Sequence, residues 1–233
     1  MQLAASWGQA WSRQQWLGFR QWMEEHGTDI TKVANIPTDI LSWPDSSWLK
    51  LYNAYIIATN KFFVYPYRSL TTNFGDPGQH FNIASSRFQV PVQQRSMTHQ
   101  FVPLAGSLAV YDGFCGISPA SIKMQNPLLA GYDFIVNLYG CKHHAEGLQL
   151  ARSNRQGVRN FSLSMKPMEL SVMHNVEGQG ISLIEQSGPT SYASSAEAEY
   201  AMYRFFYKFP SPRIILSGLL ERVQLIVSRF GSR

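Results

Sequence analysis

Aromatic residues recur at helical spacing in the first sixty positions, whereas later apolar residues come in short runs separated by turns. Trp16, Phe19, Trp22 and Met23 fall on one stripe, which predicts an amphipathic helix over residues 13–26. Ser12 and Gln15 form a capping-box pattern at its start, and Gly27 supplies a stop at its end. A loop through Pro37 follows. Pro44-Asp45 then opens a second predicted helix, with Asp45 as N-cap and Trp48, Leu49, Tyr52, Tyr55 and Ile56 on its buried side. Asn60-Lys61 ends it.

The run Phe62-Phe63-Val64-Tyr65-Pro66 reads as a buried strand feeding a loop that holds Asn73, Gly75, Asp76, Gly78 and His80. Residues 82–107 read as irregular, with Phe88, Val90 and Val92 alternating as a short extended piece. Strands are expected at 108–112 and 132–139, on either side of a proline-containing linker, and at 160–164, 168–175 and 180–185. Residues 186–197 form a polar link. After Ser211-Pro212, which suits an N-cap and first helical position, Leu216, Leu219, Leu220, Val223, Ile226, Val227 and Phe230 repeat as a terminal amphipathic helix.

Composition adds three points. The 233 residues are 45% hydrophobic and 15% charged, which fits a globular chain with a lean charged surface. All six tryptophans lie in the first 48 residues, at positions 7, 11, 16, 22, 43 and 48. Such a concentration reads either as core packing or as a surface on which sugar rings stack, because pyranose C–H faces pack well on indole. The formal charge of +5 is uneven: Arg204, Lys208, Arg213, Arg222, Arg229 and Arg233 face only Glu221 in the last 30 residues. No nucleic-acid motif accompanies them, so nucleic acid is not expected as a partner.

Cys115 and Cys141 have neither metal-ligand spacing nor a disulfide framework, which favours a reducing compartment. The first residues lack the basic and apolar regions of a secretory leader, and no run of about 18 apolar residues predicts a membrane span. His143-His144 with Glu146 lacks a third spaced ligand, and adjacent side chains in a strand point to opposite faces; a solvated turn is the better reading. Ser6, Ser69 and Ser187 show no nucleophile elbow.

Two segments carry a resemblance. Tyr65, Pro66, Ser69, Asn73, Gly75, Gly78 and His80, together with Ser6-Trp7-Gly8 and Trp11 upstream, resemble the acceptor-side half of bacterial family-2 glycosyltransferases that build surface polysaccharides. The likeness spans roughly residues 4–185 and is strongest over 4–25 and 44–81. Ala5 stands where relatives have a first serine. Asn137, in Asp133…Asn137-Leu138-Tyr139-Gly140, stands where relatives carry an acid.

The resemblance implies an α+β fold: an incomplete GT-A-type half, a small β extension and a C-terminal amphipathic helix. Domain limits follow as 1–107 for the acceptor-side part, 108–185 for the β-rich extension and 186–233 for the link and helix. It implies acceptor binding by Trp7, Asn73 and Asp76. It also implies a metal role for His80, beside the plainer reading of a hydrogen-bonding loop histidine. The complete enzyme would use a divalent cation, manganese or magnesium, to neutralise the nucleotide diphosphate. Asp29, Asp39, Asp45, Asp76, Asp112 and Asp133 form no Asp-x-Asp pair, however, and no glycine-rich phosphate loop opens a helix. The donor-holding parts and the catalytic base are therefore expected upstream of Met1, and no cofactor is expected on this chain alone.

The expected activity of the whole is sugar transfer from a nucleotide-sugar to a glycan or lipid-linked acceptor, with this chain inactive alone. The expected setting is the cytoplasm, peripheral on the inner membrane. The expected partners are a nucleotide-sugar-binding domain and, through the basic tail, an anionic membrane surface; the tail helix packing on the body is the alternative. A different class also fits: a non-catalytic carbohydrate-binding or accessory module that docks on a separate catalytic chain.

Overall fold

The computed structural model describes residues 1–5, 9–72, 74–77, 89–142 and 146–186, with Ile215, Leu216, Leu219, Leu220 and Val223 of the terminal segment. The chain divides into two compact units, Met1–Ser195 and Ala196–Arg233.

Helix α1 spans Arg13–His26, as its stripe predicts. Ser12 Oγ accepts the Gln15 N–H, and the Gln15 side chain accepts the Ser12 N–H, so the capping box is closed in both directions. Such a cap contributes about 1 kcal/mol. Phe19 and Trp22 are its buried residues, and Trp22 stacks on His26 at 4.7 Å. A single turn, α2 (Thr38–Leu41), precedes α3 (Trp48–Ala58). The cap of α3 is Ser47 rather than Asp45, because Asp45 is drawn to Lys50 Nζ at 2.7 Å. The same ammonium donates to Trp43 O at 2.8 Å and closes the entry turn. Helices α1 and α3 bury Phe19, Trp22, Leu51, Tyr52, Ala54, Tyr55 and Ile56 in one core with Ile30, Ile36 and Ile40.

The N-terminal residues run extended across this core. Met1 and Phe63 exchange both backbone hydrogen bonds, and Ala4 N–H donates to the buried Asn53 Oδ1 at 2.7 Å. Residues 62–66 were expected to form a strand, but their pairing stops at that one exchange. Without a second partner no ladder propagates, and Val64, Tyr67, Leu70 and Phe74 stand exposed, Tyr67 fully.

The later part of the first unit is a four-stranded sheet. Strands β1 (Ile135–Asn137), β2 (Gly147–Ser153), β3 (Arg159–Ser162) and β4 (Gly180–Gln186) lie in the order β1-β2-β4-β3. The β1–β2 pair is parallel and the others antiparallel, with Val136 and Leu183 both opposite Leu150, and Phe161 opposite Ile181. Helices α4 (Pro119–Gln125) and α5 (Met168–Met173) pack together, joined by Asn126 Nδ2 donating to Val172 O at 2.7 Å. Residues 168–175 were expected as strand; six of them form α5 instead, a helix too short to show its own period. The combination is an α+β fold.

The helical and sheet regions meet at a turn, residues 111–117. Gln2 N–H donates to Tyr111 O at 2.9 Å. Gly113 lies so close to α3 that a Cβ there would stand 2.8 Å from Ile57 Cδ1, so a larger residue would have to push the Ile57 side chain aside. In the second unit, Ile215, Leu216, Leu219, Leu220 and Val223 are helical and exposed. Among the described residues no helix is long and apolar enough to cross a membrane.

Candidate functional site

The tryptophans separate into buried and displayed. Trp22 belongs to the core, and Trp43 flanks it. Trp11 lies half-buried between α1 and α3, stacked on Tyr52 at 4.0 Å with an interplanar angle of 30°. Trp16 meets it edge-on at 5.3 Å and Trp48 lies 6.0 Å away. Each well-arranged ring pair adds about 0.5–1.5 kcal/mol beyond its buried area. Trp48 was expected on the buried side of its helix. It is 47% exposed, and Trp16 is 45% exposed, because both project past the α1–α3 contact rather than into it.

Trp11, Trp16 and Trp48, with Ser12 and Arg13, line an open cavity of ≈ 570 Å³. Its floor is rigid, since Trp11 is held both by Tyr52 and by its indole N–H donating to Gln9 Oε1 at 2.7 Å. Its walls are apolar ring faces. The indole N–H groups of Trp16 and Trp48 have no acceptor among the described residues. A surface of this kind suits a ligand with a flat C–H face and hydroxyls around its edge.

A second cluster lies where the 111–117 turn meets β1. Asp112 Oδ1 accepts the N–H groups of Phe114 and Gly116 at 2.9 and 3.0 Å. Asp112 Oδ2 pairs with Lys142 Nζ, which also donates to Val136 O at 2.7 Å. Asn137 is buried and fastens the same loop: its Oδ1 accepts Lys142 N–H, and its Nδ2 donates to Lys142 O and to the buried Gln149. Tyr139 O–H donates to Glu169 Oε2 at 3.2 Å.

Burial raises the Glu169 carboxyl above its ordinary value, outweighing the Tyr139 hydrogen bond that favours the charged form. Burial also raises the Tyr139 phenol, with the Glu169 charge adding to it. Desolvation pushes the thiols of Cys115 and Cys141 up, although Cys115 keeps part of its surface exposed. This cluster satisfies itself, which is what a structural knot does. Asn137 is explained by that role, because an acid there would lose both donated bonds.

Of the residues the resemblance assigns to the site, Trp7, Asn73 and His80 lie outside the described residues, as do His143 and His144. Asp76 is described and exposed. Among the described residues the structure brings together Trp11, Trp16 and Trp48, with Arg13. Their signal was present in the sequence as the crowding of tryptophans, but spacing alone could not say which rings face outward. Among the described residues, no group of three His, Cys, Asp or Glu side chains could hold a metal ion. Comparison of the chain with protein-family models, with curated proteins and with solved structures returns no match.

Proposed function

We propose that this chain is the acceptor-side part of a family-2, GT-A-type glycosyltransferase, and that acceptor sugar rings stack in the cavity of Trp11, Trp16 and Trp48. The observation that carries the reading is that open aromatic cavity on a rigid floor. Core tryptophans would close on each other. These leave two large ring faces half exposed, at a cost that a ligand would offset by covering them.

The described residues do not fit a divalent cation by themselves, since Asp76 is exposed and no carboxylates converge. The cation belongs to the donor half of the complete enzyme. Binding of the nucleotide-sugar and activation of the acceptor hydroxyl likewise fall to a partner domain. The exposed row Val64, Tyr67, Leu70 and Phe74 supports such a partner, because it offers an apolar surface for a domain to cover. What this chain's own residues do is bind and orient the acceptor; alone it transfers nothing.

Calorimetry with UDP-sugars and manganese tests that division of labour. No binding is expected, and a metal-dependent dissociation constant on the order of 10 μM would overturn it. Saturation-transfer NMR with short oligosaccharides tests the acceptor reading. Transfer to sugar-ring protons is expected, and it should vanish in Trp16→Ala and Trp48→Ala.

The aromatic cavity equally suits an accessory carbohydrate-binding module docked on a separate catalytic chain. Reconstitution separates the two. Transfer restored by adding a donor domain of the same polypeptide favours the enzyme, and transfer by a catalytic chain that is complete without this one favours the module.

Placement at a membrane surface is part of the proposal. Leu216, Leu219, Leu220 and Val223 are exposed at helical spacing, and Arg213, Arg222 and Arg229 occur in the same stretch. Anionic lipid would gain roughly 1 kcal/mol per basic residue near the surface, in addition to apolar burial. Co-sedimentation with anionic liposomes should be lost on deleting residues 211–233. Equal sedimentation of both forms would remove the membrane role.

A further inference from the structure

The rim of the aromatic cavity holds a positive charge that the fold does not use. Arg13 is the first residue of α1, is exposed, and lines the cavity beside Trp11, Trp16 and Trp48. It has no ion pair or hydrogen bond from its side chain to any described residue. Other cations of the same region are answered: Arg20 by Glu24, Lys32 by Asp29, and Lys50 by Asp45.

Helix electrostatics argue against a cation at this position. The N-terminal turn carries the positive end of the helix dipole, so a cation there is disfavoured and carboxylates are the favoured residues. The first turn of α1 has no acidic residue at all. The capping box engages the N–H groups of Ser12 and Gln15, while those of Arg13 and Gln14 have no intrahelical acceptor by geometry. Among the described residues no Asp or Glu lines the cavity.

The donors therefore all have one sense. The described lining residues carry a guanidinium and two indole N–H groups beside apolar ring faces, with the Ser12 hydroxyl already accepting in its cap. A neutral pyranose would use the ring faces and leave the charge idle. A pyranose bearing a carboxylate uses both, with its C–H face on the indole and its carboxylate paired with the guanidinium.

We propose that the cavity selects a negatively charged sugar, a hexuronic acid residue of the acceptor glycan. This inference rests on the acceptor reading and narrows its substrate class. Arg13 is then the specificity-determining residue, and Trp16 and Trp48 are the stacking residues for any sugar ring.

The test compares two probes on the full chain, cellobiuronic acid and its neutral counterpart cellobiose, titrated by NMR. The unsubstituted protein should bind the uronate roughly three- to tenfold more tightly, the range set by one exposed charge-assisted pair. Arg13→Gln should bring the two probes to parity, and Arg13→Lys should keep part of the preference. Raising salt to about 0.5 M should shrink the preference and spare cellobiose, because only the ion pair is screened. Parity in the unsubstituted protein, or a preference that survives Arg13→Gln, would overturn the inference and leave the acceptor reading standing. If neither disaccharide binds and Trp16→Ala changes nothing, the acceptor reading falls and takes this inference with it. Arg13 is exposed, so its variants are expected to fold; an unchanged urea midpoint confirms that.

Discussion

The cavity at Trp11 and the knot at Lys142 are both built by a short loop held against a rigid element, yet they dispose of their side chains in opposite ways. At the knot, Asp112, Asn137 and Lys142 answer one another and the surrounding backbone, and even the buried Glu169 receives the Tyr139 hydroxyl. At the cavity, two indole N–H groups and a guanidinium have no hydrogen-bond or ion-pair partner among the described residues. The knot has the polar residues that usually attract a catalytic reading, but it is closed. The cavity has few polar groups, but they are free.

The largest effect that can break this contrast comes from the ring cluster itself. Phe19 is almost fully buried, and Phe19→Ala should cost about 3–5 kcal/mol of stability. Trp16→Ala, one turn away on the same helix, should cost under about 1 kcal/mol while abolishing oligosaccharide binding. Urea denaturation gives both numbers. If Trp16→Ala destabilises as much as Phe19→Ala, the wall of the cavity is core and not surface.

At the knot the expectation reverses. Lys142→Met takes the cation from Asp112 Oδ2 and the ammonium donor from the Val136 carbonyl, and should cost about 2–4 kcal/mol. Its oligosaccharide affinity should not change. A loss of affinity without a loss of stability would move the functional site to the knot.

Asn137→Asp sharpens the same point at about 1–3 kcal/mol. The substitution restores the acid found at this place in the resembled family, but here it removes the N–H donors to Lys142 O and Gln149. Lower stability with no gain in sugar transfer by the reconstituted enzyme is expected. A gain in transfer would show that the position carries catalysis after all.

The finest test is in pH. Glu169 holds its proton above the ordinary value of 4.5 in the folded state, because burial disfavours the charge. Below that value folded and unfolded chains bind the proton equally. Above it the unfolded carboxyl ionises first, so Glu169 makes stability fall as pH rises, until the folded carboxyl ionises too. Glu169→Gln should remove that fall, and the two stability curves should diverge upward from about pH 4.5. Parallel curves would mean that the carboxyl is not desolvated.

What the sequence disclosed follows from how local each cause is. Helix α1 was legible to the residue, because Ser12, Gln15, the Trp16–Phe19–Trp22 stripe and Gly27 all act within it. Strand β2 was not legible. Gln149 and Leu150 are both fully buried, so the centre of that strand lacks the alternation that would reveal it. Helix α4 carried a readable start in Ser118-Pro119, masked by the prolines around it. Helix α5 looked like strand because six residues complete less than two turns. For the site, the concentration of tryptophans was visible from sequence. The choice of Trp11, Trp16 and Trp48 was not, since it depends on how α1 crosses α3.

The crowding of rings around Trp11 also gives the protein an optical property. Trp11, Trp16, Phe19, Trp48 and Tyr52 are held at centroid separations between 4.0 and 6.4 Å and at fixed tilts. Electronic transitions locked together at such distances in a chiral frame couple to one another. The chain should therefore show a near-ultraviolet circular dichroism signal dominated by this one face. That band reports on the wall of the cavity without any label, and it should shift when a ring is covered.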